Sequence, residues 1–185
     1  VFDADGDGDS DVYVANDSVE SYLWVAEKDA QGSLHWRERA DEFGCKFGTT
    51  MNPQAGMGAF VADINQDGLW DLFKTNFALD YNNMYMGSRT RPVDGAFYFK
   101  DKGLTTLGQA VYYDLSWGCG WYDFDNDMDL DLYVANGHVY KEVDLEQATG
   151  STYGQWNALI ECVDAPAMGY REIGRKAMER NGAKG

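Results

Sequence analysis

Residues 123–136 read DFDNDMDLDLYVAN, five aspartates at alternate positions running directly into an apolar stretch that closes on Asn136. The same plan stands at 63–76, DINQDGLWDLFKTN, and at 3–16, DADGDGDSDVYVAN, so that successive copies are 60 residues apart. Asp occupies the first, fifth and ninth positions of all three, and Asp or Asn the third. Self-similarity at a fixed period is the mark of a repeat architecture, in which each copy is one small folding unit.

Working outward, the second and third copies are approached through GMGAFVAD (56–63) and WGCGWYDFD (117–125), Gly-rich apolar runs with strand character. Downstream lie YLW (22–24) and NMYMG (83–87), then GSLHWRE (32–38) and GAFYFKD (95–101). Each is short and bounded by Gly, Asn or Asp, which is how strands separated by tight turns read. A complete unit therefore holds about four strands, at 56–62, 70–76, 83–87 and 96–101. Four short strands per repeat predict an all-β fold, a partial β-propeller of about three blades. The units run over 1–44, without a first strand, then 45–107, then 108–174 with an insertion near 140–155, followed by a frayed tail at 175–185.

The loops carry the chemistry. Ca²⁺ takes six to eight oxygens at about 2.3–2.6 Å, and carboxylates at alternate positions of a tight loop converge on one centre. The first loop offers Asp3, Asp5 and Asp7, the carbonyl of Asp9 and the side chain of Asp11. The second offers Asp63, Asn65 and Asp67, the carbonyl of Leu69 and Asp71; the third offers Asp123, Asp125, Asp127, the carbonyl of Asp129 and Asp131. Asn65 removes one charge from the second site. Position six calls for a sharp turn that glycine makes freely; Gly8 and Gly68 supply it, and Met128 does not. Each loop is expected to hold one calcium ion.

An EF-hand begins in the same way but needs a bidentate Glu at position twelve and flanking helices. Position twelve here is Val14, Lys74 or Val134, within strand-like segments, so that motif is excluded. Turn chemistry alone also favours Asp and Gly, and it is the threefold repetition in register that favours a metal. Magnesium suits an all-protein oxygen cage less well, and transition metals prefer His or Cys.

Composition narrows the function classes. The chain has 31 acidic and 15 basic residues and a formal charge of −16, which disfavours nucleic acid and anionic membrane surfaces. Thirteen of those acidic residues fall in the windows 3–11, 63–71 and 123–131, so the charge is local to the loops. No run of residues approaches the roughly 20 apolar positions of a membrane helix. Cys45, Cys119 and Cys162 allow at most one internal disulfide, with no pairing selected by spacing. Aromatic residues such as Trp117, Trp121, Tyr112 and Tyr113 read as core before sugar platform, and His138 as a structural hydrogen-bonding residue before a site residue. Lys141, Glu142 and Asp144 read as a solvated turn.

The G-rich strand, the D-x-[DN]-x-D loop and the LYVAN strand together resemble the FG-GAP/VCBS repeats of integrin-α-like propellers. NGHVYKEVD at 136–144, followed by YGQWNALIE, resembles the blade that precedes the C-terminal domain in the ASPIC/UnbV (cartilage-acidic-protein-like) branch. The resemblance implies a seven-bladed propeller with a calcium loop between the first two strands of each blade. The remaining blades of a parent chain would then be partners of this piece. It further implies a non-catalytic module of a secreted, surface or periplasmic protein serving adhesion or extracellular recognition, with a protein or glycan ligand. The alternatives are the propeller portion of a polysaccharide lyase or hydrolase, and a structural spacer. No nucleophile or acid–base constellation is evident in the sequence to favour an enzyme.

Overall fold

The computed structural model describes residues 1–91, 94–107, 110–146 and 149–174. The expected tail at 175–185 and the boundary expected between the second and third units at 107/108 lie outside or at the edge of these residues. The fold is all-β, built from three antiparallel sheets of three, four and four strands. The first sheet comprises β1 (Val12–Val14), β2 (Tyr22–Lys28) and β3 (Leu34–Glu38). The second comprises β4 (Gly56–Ala62), β5 (Asp71–Asn76), β6 (Asn83–Ser88) and β7 (Tyr98–Asp101). The third comprises β8 (Ser116–Tyr122), β9 (Asp131–Asn136), β10 (Ala158–Asp164) and β11 (Gly169–Glu172). In each sheet the strands pair in chain order as an antiparallel meander, the pattern of a propeller blade. The helical elements among the described residues are one turn at Gly103–Thr106 and a 3₁₀ segment at Lys141–Leu145, within the expected insertion. No helix among the described residues is long and apolar enough to cross a membrane.

The 60-residue period extends to irregularities of the backbone. β4 shifts register between Gly56 and Ala59, and β8 shifts between Ser116 and Cys119, the same places one repeat apart. A bulge of this kind bends a strand and increases its twist. The two bulged strands lie side by side, and a Cβ on Gly58 would stand 2.2 Å from the Trp117 carbonyl oxygen. The Gly-rich approach to the second loop is therefore a packing requirement between neighbouring blades.

The middle blade is buried on both faces, and every residue of β5 is buried. Leu72, Tyr85 and Phe99 point toward the first blade and meet Leu23, Val25, Phe2 and Phe43. Phe73, Met84 and Met86 point the other way, onto Trp121, Leu132, Val134 and Ile160 of the third blade. Alternation along β5 thus sends successive side chains into two separate cores. Trp121 is a core residue, as its strand position predicts, whereas Trp117 is 42% exposed, its Nε1–H donating to the Gly137 carbonyl. The three cysteines are free thiols: Cys45 and Cys162 are buried and Cys119 is half-buried. Burial pushes the Cys119 thiol up to about 12, in keeping with an inert packing role.

Candidate metal centres

All three acidic loops leave the first strand of a four-strand unit, or the bridge of Phe2 with Asp11 that stands in its place, and enter the next strand at the ninth-position aspartate. Their internal hydrogen bonds repeat with one exception, the donor to Oδ1 of the first aspartate, which is the fourth residue in the first loop and the fifth in the other two. Asp3 accepts the Gly6 N–H on Oδ1 at 2.7 Å and the Gly8 N–H on Oδ2 at 3.0 Å. Asp63 accepts Asp67 and Gly68 N–H, each at 2.9 Å, and Asp123 accepts Asp127 and Met128 N–H, each at 3.1 Å. The third-position side chain then accepts the fifth N–H at 3.2 Å in every loop. The fifth-position Asp accepts the seventh N–H at 2.8 Å or 2.9 Å.

This pattern requires left-handed backbone at the fourth and sixth positions. Gly6, Gln66 and Asn126 have φ of 81°, 60° and 65°, and Gly8, Gly68 and Met128 have φ of 91°, 81° and 75°. Met128 therefore adopts the turn that its residue type disfavours. A left-handed residue other than glycine is disfavoured by about 1–2 kcal/mol, and the side chain is 81% exposed, so no packing offsets that strain.

The ninth position has a role that the ligand pattern alone did not reveal. Asp11, Asp71 and Asp131 are 0%, 0% and 3% exposed. Oδ2 of each accepts the N–H of the loop's second residue: Ala4 at 2.7 Å, Ile64 at 2.8 Å and Phe124 at 3.0 Å. Oδ1 reaches across to the third strand of the unit, accepting the N–H of Ala26, Gly87 or Cys162 at 2.9, 2.8 and 2.8 Å. One carboxylate thus ties the start of the loop to a strand 15, 16 or 31 residues further along. Burial raises the Asp71 carboxyl to about 6, partly offset by these same two N–H donors. The Asn that closes each copy is a second tie. The Nδ2 groups of Asn16, Asn76 and Asn136 donate to the carbonyls of Glu20, Tyr81 and Trp156, just ahead of the next strand in each unit.

One ligand oxygen from each of Asp3, Asp5 and Asp11 lies within 4.8 Å of the others, as does one from each of Asp123, Asp125 and Asp127. Oxygens that surround one ion at about 2.3–2.6 Å stand at most about 5 Å apart, so both clusters match the donor set of a calcium cage. In the second loop the Asn65 amide turns its Nδ2 onto Asp67 Oδ2 at 3.1 Å. The carboxyls of Asp5 and Asp125 are raised, first by burial and next by the neighbouring Asp7 and Asp127. Around the first loop, Lys28 bonds Asp9 at 2.7 Å, and Arg39 lies 3.9 Å from Asp5. Among the described residues Asp129 has no such cation in the third loop; its carboxylate accepts from Gln66 Nε2 at 2.9 Å, and the Met128 carbonyl accepts from the same nitrogen at 2.7 Å. A side chain of the second loop thereby grips the third.

Residues 3–73, from the first aspartate through the second loop into β5, match the family model described as FG-GAP-like repeat. This segment is similar to an FG-GAP-like repeat. The match ends before the third loop, but the hydrogen bonds of 123–131 reproduce those of the two loops within the matched segment. No curated protein matches the chain.

Proposed function

We propose that this chain is a calcium-binding FG-GAP/VCBS module, of the ASPIC/UnbV branch, in a secreted or cell-surface protein, and that it serves adhesion or extracellular recognition without catalysis. The observation that carries this reading is the convergence of Asp3, Asp5 and Asp11, and of Asp123, Asp125 and Asp127, on single centres. Asp7 and the Asp9 carbonyl would complete the first shell, Asp131 and the Asp129 carbonyl the third, and Asp63, Asn65, Asp67, Asp71 and the Leu69 carbonyl would form the second, less charged one. Bound calcium would neutralise each turn and fix the register of the strands it joins. Extracellular modules typically bind calcium with Kd of about 10⁻⁴–10⁻³ M. The non-catalytic reading is favoured over a polysaccharide-active enzyme because the clustered carboxylates are committed to backbone N–H groups within the loops, a poor arrangement for an acid–base pair.

Calorimetric titration with calcium, paired with thermal melts, tests the proposal. Heat of binding and a rise in Tm are expected in the parent chain, with one binding event lost in Asp67→Ala and one in Asp127→Ala. A melting temperature indifferent to calcium would overturn it.

A further inference from the structure

β5 and β9 run away from the acidic loops for six residues each, about 20 Å at the usual rise of a strand. At their far ends, Phe77–Asp80 follows β5, the segment from Gly137 follows β9, and Asp17–Ser18 follows β1. These three connections, different in sequence in each unit, enclose a groove. Its two halves, about 350 and 450 Å³, share Phe77, Ala78, Leu79 and Tyr140. Each half is in the size range of a small-molecule site.

The lining has a distinct chemistry. Phe77 meets the His138 ring edge-on at 5.5 Å, and His138 meets Tyr140 at 5.9 Å, so that three rings stand together. The Tyr140 N–H donates to His138 Nδ1 at 3.1 Å and holds the imidazole in that row. Asp17, Asp80 and Glu142 border the groove, and among the described lining residues there is neither Lys nor Arg. Lys141, next in the chain, is directed over the Tyr153 ring at 5.5 Å instead. Ser18 and Leu79 hold left-handed backbone at φ of 62° and 69°, and the Leu79 N–H is anchored on the Tyr112 carbonyl at 2.8 Å. Strained non-glycine residues held in place by their surroundings concentrate at binding sites.

Aromatic faces attract a cation through the ring quadrupole, and carboxylates add charge without a competing basic group. An anionic sugar or phosphate would meet repulsion from those carboxylates with no basic side chain to offset it. We propose that this groove binds a small organic ammonium ion, at a site separate from the acidic loops and independent of whether those loops hold calcium.

The test uses the whole chain with calcium in excess, so that the loops do not compete for the probe. Tetramethylammonium is titrated while the imidazole resonances are followed; the chain has only two histidines. Saturable movement of the His138 signals is expected, with those of His35, on β3 and bonded to Asp29, unmoved. Tyr140→Ala should weaken binding roughly two- to thirtyfold, and Glu142→Gln should weaken it as well. Both residues are exposed and outside the sheets, so their variants should keep the parent melting temperature. Equal binding of neutral tert-butanol would reduce the groove to an apolar hollow and overturn the proposal. So would stationary His138 signals, equal movement of His35, or undiminished affinity in both variants.

Discussion

Replacing Lys74 with methionine tests the electrostatics of the interface between the first and second blades. Lys74 is 2% exposed and stands where the other two copies have Val14 and Val134. Its ammonium donates a long bond, 3.4 Å, to Gln54 Oε1. Burial lowers its pKa from the ordinary 10.5 to about 8, against the attraction of Asp101, Asp80 and Cys45. A tenfold change in proton affinity is worth about 1.4 kcal/mol, so holding this charge inside costs about 3 kcal/mol. Below about pH 8 the amine is protonated in both the folded and unfolded chains, and the whole penalty is present. From about 8 to 10.5 the folded chain has released a proton that the unfolded chain retains, and stability rises with pH. Methionine removes the charge at every pH and leaves Gln54 without one donor, a loss of about 1 kcal/mol. Asp101 loses little, because five donors, from Thr49 (two), Asn83, Met84 and Gly103, already hold its oxygens. The variant should therefore be more stable by about 2 kcal/mol at neutral pH, and that advantage should vanish as pH rises past 10.5. Urea denaturation of both proteins across this range, in constant calcium, reads the difference directly. Buried thiols and phenols remote from Lys74 titrate alike in both and cancel. An advantage that stays level with pH would refute the argument.

Asp71→Ala leaves the Ile64 and Gly87 N–H groups buried without an acceptor, and should destabilise the chain by about 2–5 kcal/mol with or without calcium. Asp67→Ala frees only the exposed Leu69 N–H and Asn65 amide, so its loss should be chiefly the calcium-dependent increment, and chelator-controlled melts separate the two. Met128→Gly relieves left-handed strain at an exposed position; after the greater chain entropy of glycine is subtracted, a gain of about 0.5–1 kcal/mol is expected in denaturant melts, with tighter calcium binding at the third loop. Gln66→Ala, although in the second loop, should weaken calcium binding at the third by about 0.5–1.5 kcal/mol, because it deletes the bonds to Met128 and Asp129. Calorimetry on this variant and on its combination with Asp127→Ala checks that the effect resides there.

The sequence made legible what repeats. Copies 60 residues apart, strands bounded by turn residues and carboxylates at alternate positions identify the blades and loops, and the sheets follow that plan. What it hid are contacts to groups that every residue carries. The N–H donors to Asp11, Asp71 and Asp131 come from Ala26, Gly87 and Cys162, which share no side-chain feature. Met128 read as a break in the turn pattern, yet the surrounding hydrogen bonds impose the same left-handed backbone there as at Gly8 and Gly68. His138 read as a structural hydrogen-bonding residue; it does bond Tyr140, but its ring also joins Phe77 across a groove built from three dissimilar connections. No repeat period could announce that groove, since the period is lost at this end of the strands. Lys74 was visible as an oddity beside Val14 and Val134, but only the packing places it inside.

The hydrogen bonds also divide the loop motif into two parts with different physical reasons. The first- and ninth-position aspartates present both oxygens to backbone N–H groups, so the fold alone accounts for an acceptor at each. At the third and fifth positions the backbone engages only Oδ1, a bond that Asn or Ser makes equally well in a turn. Turn chemistry thus leaves unexplained why Asp5, Asp7, Asp125 and Asp127 are all acidic. Burial, and next their mutual repulsion, raises Asp5 and Asp125, and the repulsion opposes folding. A divalent cation reverses the sign of that interaction at the positions where the backbone has no need of the charge. On the calcium reading proposed above, the second loop, where Asn65 replaces one of these acids and turns its amide onto Asp67, is the copy expected to depend least on an ion to hold its shape.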